Sequence, residues 1–294
     1  MNFPCSSARR PVLMGVVLLM PIVILIMLGP LFLPNPLEVN VENALQKPSL
    51  EHPLGTDVLG RDNLSRLCYG GRHSFFISLA ALAGSLLCGV GMGFLSGWLE
   101  GWGREIIDRI LEVVMCIPGI ILALILVTFL GKGETSIVVA LTVGGTVYMA
   151  RMVRGLVRLN KGAGYILAAQ VSGLPKWRII GFHLLPNISG PIFGYAVVLA
   201  GVNIMAESGF SFLGLSVQPP EPSWGFMLYQ SRNYLTTAPW LALAPGTAIF
   251  ITVLGFNLLG DGLRGWFDPT RKCGAGVGGR TIGQCTFGRQ GVKY

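Results

Sequence analysis

Long uncharged runs, separated by short polar and often basic stretches, set the pattern of this chain. Windows at 11–37, 73–99, 113–131, 179–206 and 233–260 contain no Asp, Glu, Lys or Arg, and a shorter one lies at 135–150. About twenty apolar residues are needed to cross the hydrocarbon of a bilayer as a helix. The pattern therefore predicts six membrane-spanning helices and an all-α integral membrane fold. The fourth reaches full length only if residues 149–155 extend it, which places Arg151 and Arg154 at the interface, where long side chains snorkel. Pro118-Gly119 falls inside the third, at about 107–130, and predicts a kink.

Residues 1–10 form a polar head, 11–34 the first span and 35–73 an outer segment rich in turn formers. A five-helix core fills 74–268, interrupted by a polar loop at 158–186. Residues 269–294 make a glycine-rich, basic tail expected to stay disordered or to lie against anionic headgroups. The first apolar run is too long for a cleaved leader and lacks a convincing small-residue cleavage site, so a retained anchor helix is expected. Gly89, Gly93 and Gly97 recur every fourth position, a ridge for close helix approach either within the chain or at a subunit interface.

Composition agrees with this reading. The chain has 294 residues, 52% hydrophobic and 12% charged, against roughly 25% charged in a soluble domain. The net charge is +8. With Arg9-Arg10 inside and six crossings, both termini are cytoplasmic, and most of the 22 Lys and Arg residues fall on the cytoplasmic side, as the positive-inside rule requires. Basic residues spread over several loops argue against nucleic acid as a partner. Cys5, Cys68, Cys88, Cys116, Cys273 and Cys285 are far apart, with no C-x-x-C pair, so no disulfide framework is expected. His52, His73 and His183 are too dispersed for a metal site.

The most specific stretch is the polar loop, YILAAQVSGLPKWRIIGFHLLP at 165–186. A helix, a glycine break at Gly173 and a second helix ending at Leu185-Pro186 make a compact docking element. It resembles the cytoplasmic coupling loop of binding-protein-dependent ABC importer permeases, written E-A-A, three residues, G, nine residues, I-x-L-P. Ala168, Ala169, Gly173, Leu185 and Pro186 match in spacing. Leu167 stands where the family has Glu, and His183 where it has Ile. The likeness continues through HPLGTDVLGRDNLSRLCYGGRHS (52–74), EGWGREIIDRILEVVMCIPG (100–119), ARMVRG (150–155), SFLGLSVQPPEPSWGFML (211–228) and NLLGDGLRGWFDP (257–269). It is closest to the C-type subunit of the peptide and nickel branch and covers about 10–270.

The resemblance implies a type I ABC importer transmembrane fold in a bacterial inner membrane. Its partners would be a homologous permease in a heterodimer, two ABC ATPase subunits docked through Leu167, Ala168, Ala169, Gly173, Leu185 and Pro186, and an extracytoplasmic substrate-binding protein. Transport would be by alternating access of a di- or oligopeptide, or of nickel or a metal chelate. No G-x-x-x-x-G-K-[ST] loop occurs, so ATP and Mg would be used by the partner ATPases, with no cofactor or metal bound here and no enzymatic activity of its own. A stand-alone channel or secondary transporter is the alternative, and would need charged or unwound mid-membrane segments in paired halves.

Two polar groups have open assignments. Asp57, Arg61, Asp62 and Arg66 alternate in sign in the outer segment: either a lid or binding-protein contact, or a self-satisfied ion-pair network. Trp224, in a proline-stiffened outer loop, is read as an interface anchor or docking contact. Glu207 is the carboxylate of the fifth span, with Asn203 on the same face and Ser208 beside it. It either lines the substrate path or makes a structural hydrogen bond.

Overall fold

A computed structural model describes residues 6–267; the tail expected at 269–294, with Cys273 and Cys285, lies outside them. Among the described residues every extended element is helical. The long helices are α1 (Ser6–Phe32), α2 (Asn63–Trp98), α5 (Glu134–Lys161), α8 (Leu185–Phe212) and α10 (Trp240–Phe267). Five helices are long and apolar enough to cross a membrane, and a sixth span results when α3 (Trp102–Cys116) and α4 (Gly119–Leu130) are counted together.

That third span is broken rather than kinked. Its halves meet at 93°. Pro118 offers no N–H and forces Ile117 out of the helical region, to φ −86° and ψ 118°. The halves also differ in chemistry: α4 carries no charge, whereas α3 holds Arg104, Glu105, Asp108, Arg109 and Glu112. Asp108 ties α3 to the bundle, accepting from Arg154 at 2.5 Å, from Ser96 Oγ and, at 3.4 Å, from Arg158. Arg154 therefore pairs with α3.

The second span also starts earlier than expected. The helix begins at Asn63, inside the segment assigned to an outer loop, because Asp62 caps it by accepting from Ser65 N at 2.7 Å. Its glycine ridge packs within the chain. A Cβ on Gly93 would stand 2.4 Å from Ala150 O, and one on Gly89 would stand 2.6 Å from Met149 Cβ. The α2–α5 pair is thus locked at close approach, and the subunit-interface alternative falls away for these positions.

Among the described residues three larger apolar clusters divide the bundle, and a smaller one of Leu111, Val147 and Ala150 joins α3 to α5. Ile77, Ala123, Val127, Ile137 and Phe210 join α2, α4, α5 and α8. Ile26, Phe75, Ile204, Trp224 and Ala248 join α1, α2, α8, α10 and the short α9 (Trp224–Ser231). The third anchors the loop between α5 and α8: Val153 and Val157 of α5 meet Ile166, Ala169, Ile179 and Leu184 of that loop and Ile188 of α8.

Candidate functional site

The loop after α5 folds as α6 (Gly164–Val171), a turn, and α7 (Lys176–Ile179). Helix α6 ends in a Schellman turn: Gly173 N donates to Gln170 O at 3.0 Å and Leu174 N to Ala169 O at 3.2 Å. Gly173 sits at φ +72°, where a Cβ is strained, yet a Cβ there would meet nothing within 4 Å. The glycine is needed for the backbone reversal, not for packing. Ala169, by contrast, is buried, so the two positions expected to act alike do different work.

Sequence reading placed Leu185-Pro186 as the end of the second helix, and the structure corrects this. α7 runs through a π-helical turn at Ile180–Leu184 into α8 without a break. Leu185 N reaches back to Ile180 O, and Pro186 sits in the first turn of α8, where its missing N–H is tolerated. The fifth span and the second half of the loop are one continuous helix of 37 residues, Lys176–Phe212.

Alternation across α6 and α7 gives the loop two faces. Ile166, Ala169, Ile179 and Leu184 point into the cluster shared by α5 and α8. Leu167, Ala168, Gly173, Leu185 and Pro186 lie on the outside, together with Val171 at 89% exposure, Trp177 at 68% and Phe182 at 69%. Sequence motifs alone missed Val171, Trp177 and Phe182, although the i, i+4 spacing of Leu167 and Val171 signals one helical face. A cleft of about 570 Å³ adjoins this surface, lined by Trp98, Glu100, Lys161, Gln170 and Lys176 among others. Lys161 bridges its walls, donating to Glu100 Oε1 at 2.5 Å and to Trp98 O at 3.2 Å. The Glu100 carboxyl is held below its usual range by that hydrogen bond and the lysine charge.

On the opposite end the candidates are enclosed. Asp57, Arg61, Asp62 and Arg66 are all buried. Asp57 Oδ2 accepts from Arg61 Nε at 2.7 Å and from Arg66 Nη1, while Arg66 Nη2 donates to Gln230 Oε1 at 2.8 Å. Asp62 caps α2 and faces His52 Nδ1 at 3.0 Å. The four side chains pair among themselves and with Gln230 and His52, although Arg61 Nη2 is buried without a partner among the described residues. Trp224 is corrected likewise. It is 1% exposed, donates to Leu67 O at 2.9 Å and stacks edge-on against Phe75. Cys68 is buried against Gly29.

Asn203, Glu207 and Ser208 are brought together, as their spacing predicts, but inside the fold. Asn203 Nδ2 donates to Ser78 O at 3.3 Å. Glu207, with no exposed surface, accepts from Ser216 Oγ at 3.3 Å, and Ser74 and Ser208 lie beside its carboxylate. Glu207 Oε1 thus ties the turn after α8 back to that helix, while Oε2 is buried without a hydrogen-bond partner among the described residues. The same stitch recurs nearby, where Ser211 and Ser223 share a hydrogen bond and a Cβ on Gly225 would collide with Ser208 O at 2.1 Å.

A bundle of apolar spans, a structured loop with an exposed face and a sealed opposite end form the frame for comparison with known proteins. The family described as "Binding-protein-dependent transport system inner membrane component" matches residues 89–272. The chain belongs to that family. It is 36% identical to the dipeptide transport system permease protein DppC of Alkalihalophilus pseudofirmus, over 92% of this chain and 89% of the relative. It is 41% identical to the glutathione transport system permease protein GsiD of Pectobacterium atrosepticum, over 76% and 75%. With the oligopeptide transport system permease protein OppC of Bacillus subtilis it shares 37%, over 89% and 86%. In fold it resembles a chain of the MetNI methionine ABC transporter in an inward-facing conformation, with TM-score 0.58 and 20% identity over 66% of this chain and 93% of that one. The protein is an all-α, multi-pass permease subunit of an ABC importer, working with ATPase and binding-protein partners and not itself the ATPase.

Proposed function

We propose that this permease subunit imports a di- or oligopeptide, handed over by an extracytoplasmic binding protein, as one half of a heterodimer with a homologous permease. Two ATPase subunits supply the energy, using ATP and Mg, and one of them docks on the exposed face of residues 164–186. A peptide cargo draws support from the dipeptide, oligopeptide and glutathione permeases among the relatives, and is favoured over nickel on that ground. Both termini face the cytoplasm in this reading, which follows the distribution of Lys and Arg.

The observation that carries the docking assignment is the division of the loop into two faces. Ile166, Ala169, Ile179 and Leu184 root it in α5 and α8, while Leu167, Val171, Trp177 and Phe182 remain outside. A partner bound to that outer face pushes directly on α8, because α7, the π-turn and α8 form one continuous helix. Alternating access then follows from ATP-driven approach of the two ATPases, which swings each loop with its attached span.

Gly173→Trp tests the assignment. The variant is expected to insert in the membrane while transport fails or the ATPases dissociate; normal transport with ATPases bound would reduce the loop to a connector. Orientation is checked in sealed cells by labelling Glu51→Cys, expected from outside, and Ser172→Cys, expected only after permeabilisation. The reverse pattern would invert the topology.

A further inference from the structure

Between Glu134 and Glu207 the chain holds six arginines and lysines and no carboxylate. Three of those on α5 are answered from other elements. Asp108 accepts from Arg154 at 2.5 Å and from Arg158 at 3.4 Å, and Glu100 takes Lys161 at 2.5 Å. The cations of α7 receive no such answer. Lys176 and Arg178 are exposed and form no ion pair among the described residues. Lys176 also lines the cleft of about 570 Å³, with Trp98, Gln170 and Leu174 among its other walls. Lys161 faces the same cleft but is already engaged, by Glu100 and, at 5.7 Å, by the Trp98 ring. Lys176 feels the Glu100 charge across the cleft without reaching it. Its ammonium is left for a group from outside the chain.

We propose that the ATPase docked on this loop inserts an Asp or Glu side chain into the cleft, pairs it with Lys176, and sets further negative charge beside Arg178. The proposal rests on the docking reading above and adds the chemistry of the partner. Its groove is apolar where it covers Leu167, Val171, Trp177 and Phe182, all exposed, and acidic along the edge that meets α7. Docking shuts water out of the cleft, and an ammonium enclosed there without a counter-charge is costly. A carboxylate removes that cost and adds a charge-assisted hydrogen bond. Lysine carries its charge on a flexible four-carbon stem, so the pair can persist while the loop and its span move.

Contact is read directly by zero-length cross-linking. The assembled transporter, in discs of phosphatidylcholine so that no net anionic lipid is present, is treated with a carbodiimide, which joins an ammonium and a carboxylate in contact as an amide. The Lys161–Glu100 pair is the internal reference, since its atoms already touch. A second product joining Lys176 to an Asp or Glu of the ATPase is expected. The reference product without an ATPase link at Lys176 overturns the proposal.

Affinity gives an independent reading in the same discs. Lys176→Glu with Arg178→Glu is expected to weaken ATPase binding about fivefold or more at low salt, because like charges then face each other. Salt should shrink the difference. Arg151→Glu, a reversal of an exposed charge away from the cleft, should change binding less than about twofold. Equal loss from Arg151→Glu and from the α7 pair overturns the proposal, as does unchanged or tighter binding in the pair. Trp177→Ala, which alters the face without altering charge, separates this inference from the docking reading. Weakening by Trp177→Ala but not by the charge reversals removes the acidic contact alone. No weakening by either removes the docking face with it.

Discussion

The two ends of the bundle use similar residues to opposite effect. At one end, polar and aromatic side chains fold inward: Arg66 reaches Asp57 and Gln230, Trp224 reaches Leu67 O, and Ser216 reaches Glu207. At the loop end the same kinds of residue stay outside. Lys176, Arg178, Trp177 and Phe182 are exposed, and the turn at Gly173 faces open space. The difference teaches that a charged or aromatic residue outside a span is not a contact by virtue of its type. What matters is whether the backbone around it closes. Residues 40–63 close on themselves through Asn40 N to Leu59 O, Leu45 N to Asp57 O and Asn63 N to Gly55 O. Residues 164–179 close only along their inner face.

The contrast breaks first, and by the largest amount, at Asp57. Asp57→Ala leaves two buried guanidinium groups without their carboxylate and is expected to cost about 3–5 kcal/mol. Thermal unfolding of the purified complex, or its yield, reads that loss. A neutral result would mean that the network is open to water. Trp224→Phe removes a buried indole donor and leaves a void where the larger ring packed, for a loss of about 1–3 kcal/mol in the same assay. Were Trp224 a docking contact instead, stability would hold and affinity for the binding protein would drop.

At the loop the expected effects are smaller in stability and larger in function. Gly173→Val forces a branched side chain into the left-handed region at about 1–2 kcal/mol, without a clash to relieve. Transport should fall sharply while assembly of the spans persists. Gly173→Asn, which tolerates that backbone, should restore most of the activity. If Val and Asn behave alike, the turn is not the element that matters. Last, Lys176→Gln should leave unfolding within about 0.5 kcal/mol of wild type, as exposed substitutions do. Its effect, if the outer face docks the ATPase, is on ATP-driven transport alone.

Much of this was legible in the chain itself. Apolar runs located every span, Pro118 marked the break in the third, and the spacing from Ala168 to Gly173 located the turn. Other features were written in contacts between distant residues. Pro118 gives no angle; the 93° bend depends on where Asp108 finds Arg154 and Ser96. The start of α2 at Asn63 was hidden because Arg66 and Arg72 read as loop charges until Asp57 and the carbonyls of Ile26 and Met27 appear beside them. Trp224 was visible as an aromatic in a proline-rich loop, but its burial depends on Phe75 and Leu67 in another helix. Pro186 suggested a helix end, and the π-turn before it absorbs the proline instead.

Site-directed cross-linking in the assembled complex tests the central claim, that residues 164–186 offer an outer face to the ATPase while the opposite end is closed. Single cysteines at Leu167, Val171 and Trp177 are to be compared with cysteines at Ala169 and Asp57, using a short bifunctional reagent. Cross-links to the ATPase from the first three, and none from Ala169 or Asp57, are the predicted result. Cross-links from Ala169 equal to those from Val171, or none from any of the three outer positions in a complex that still hydrolyses ATP and transports, would contradict it.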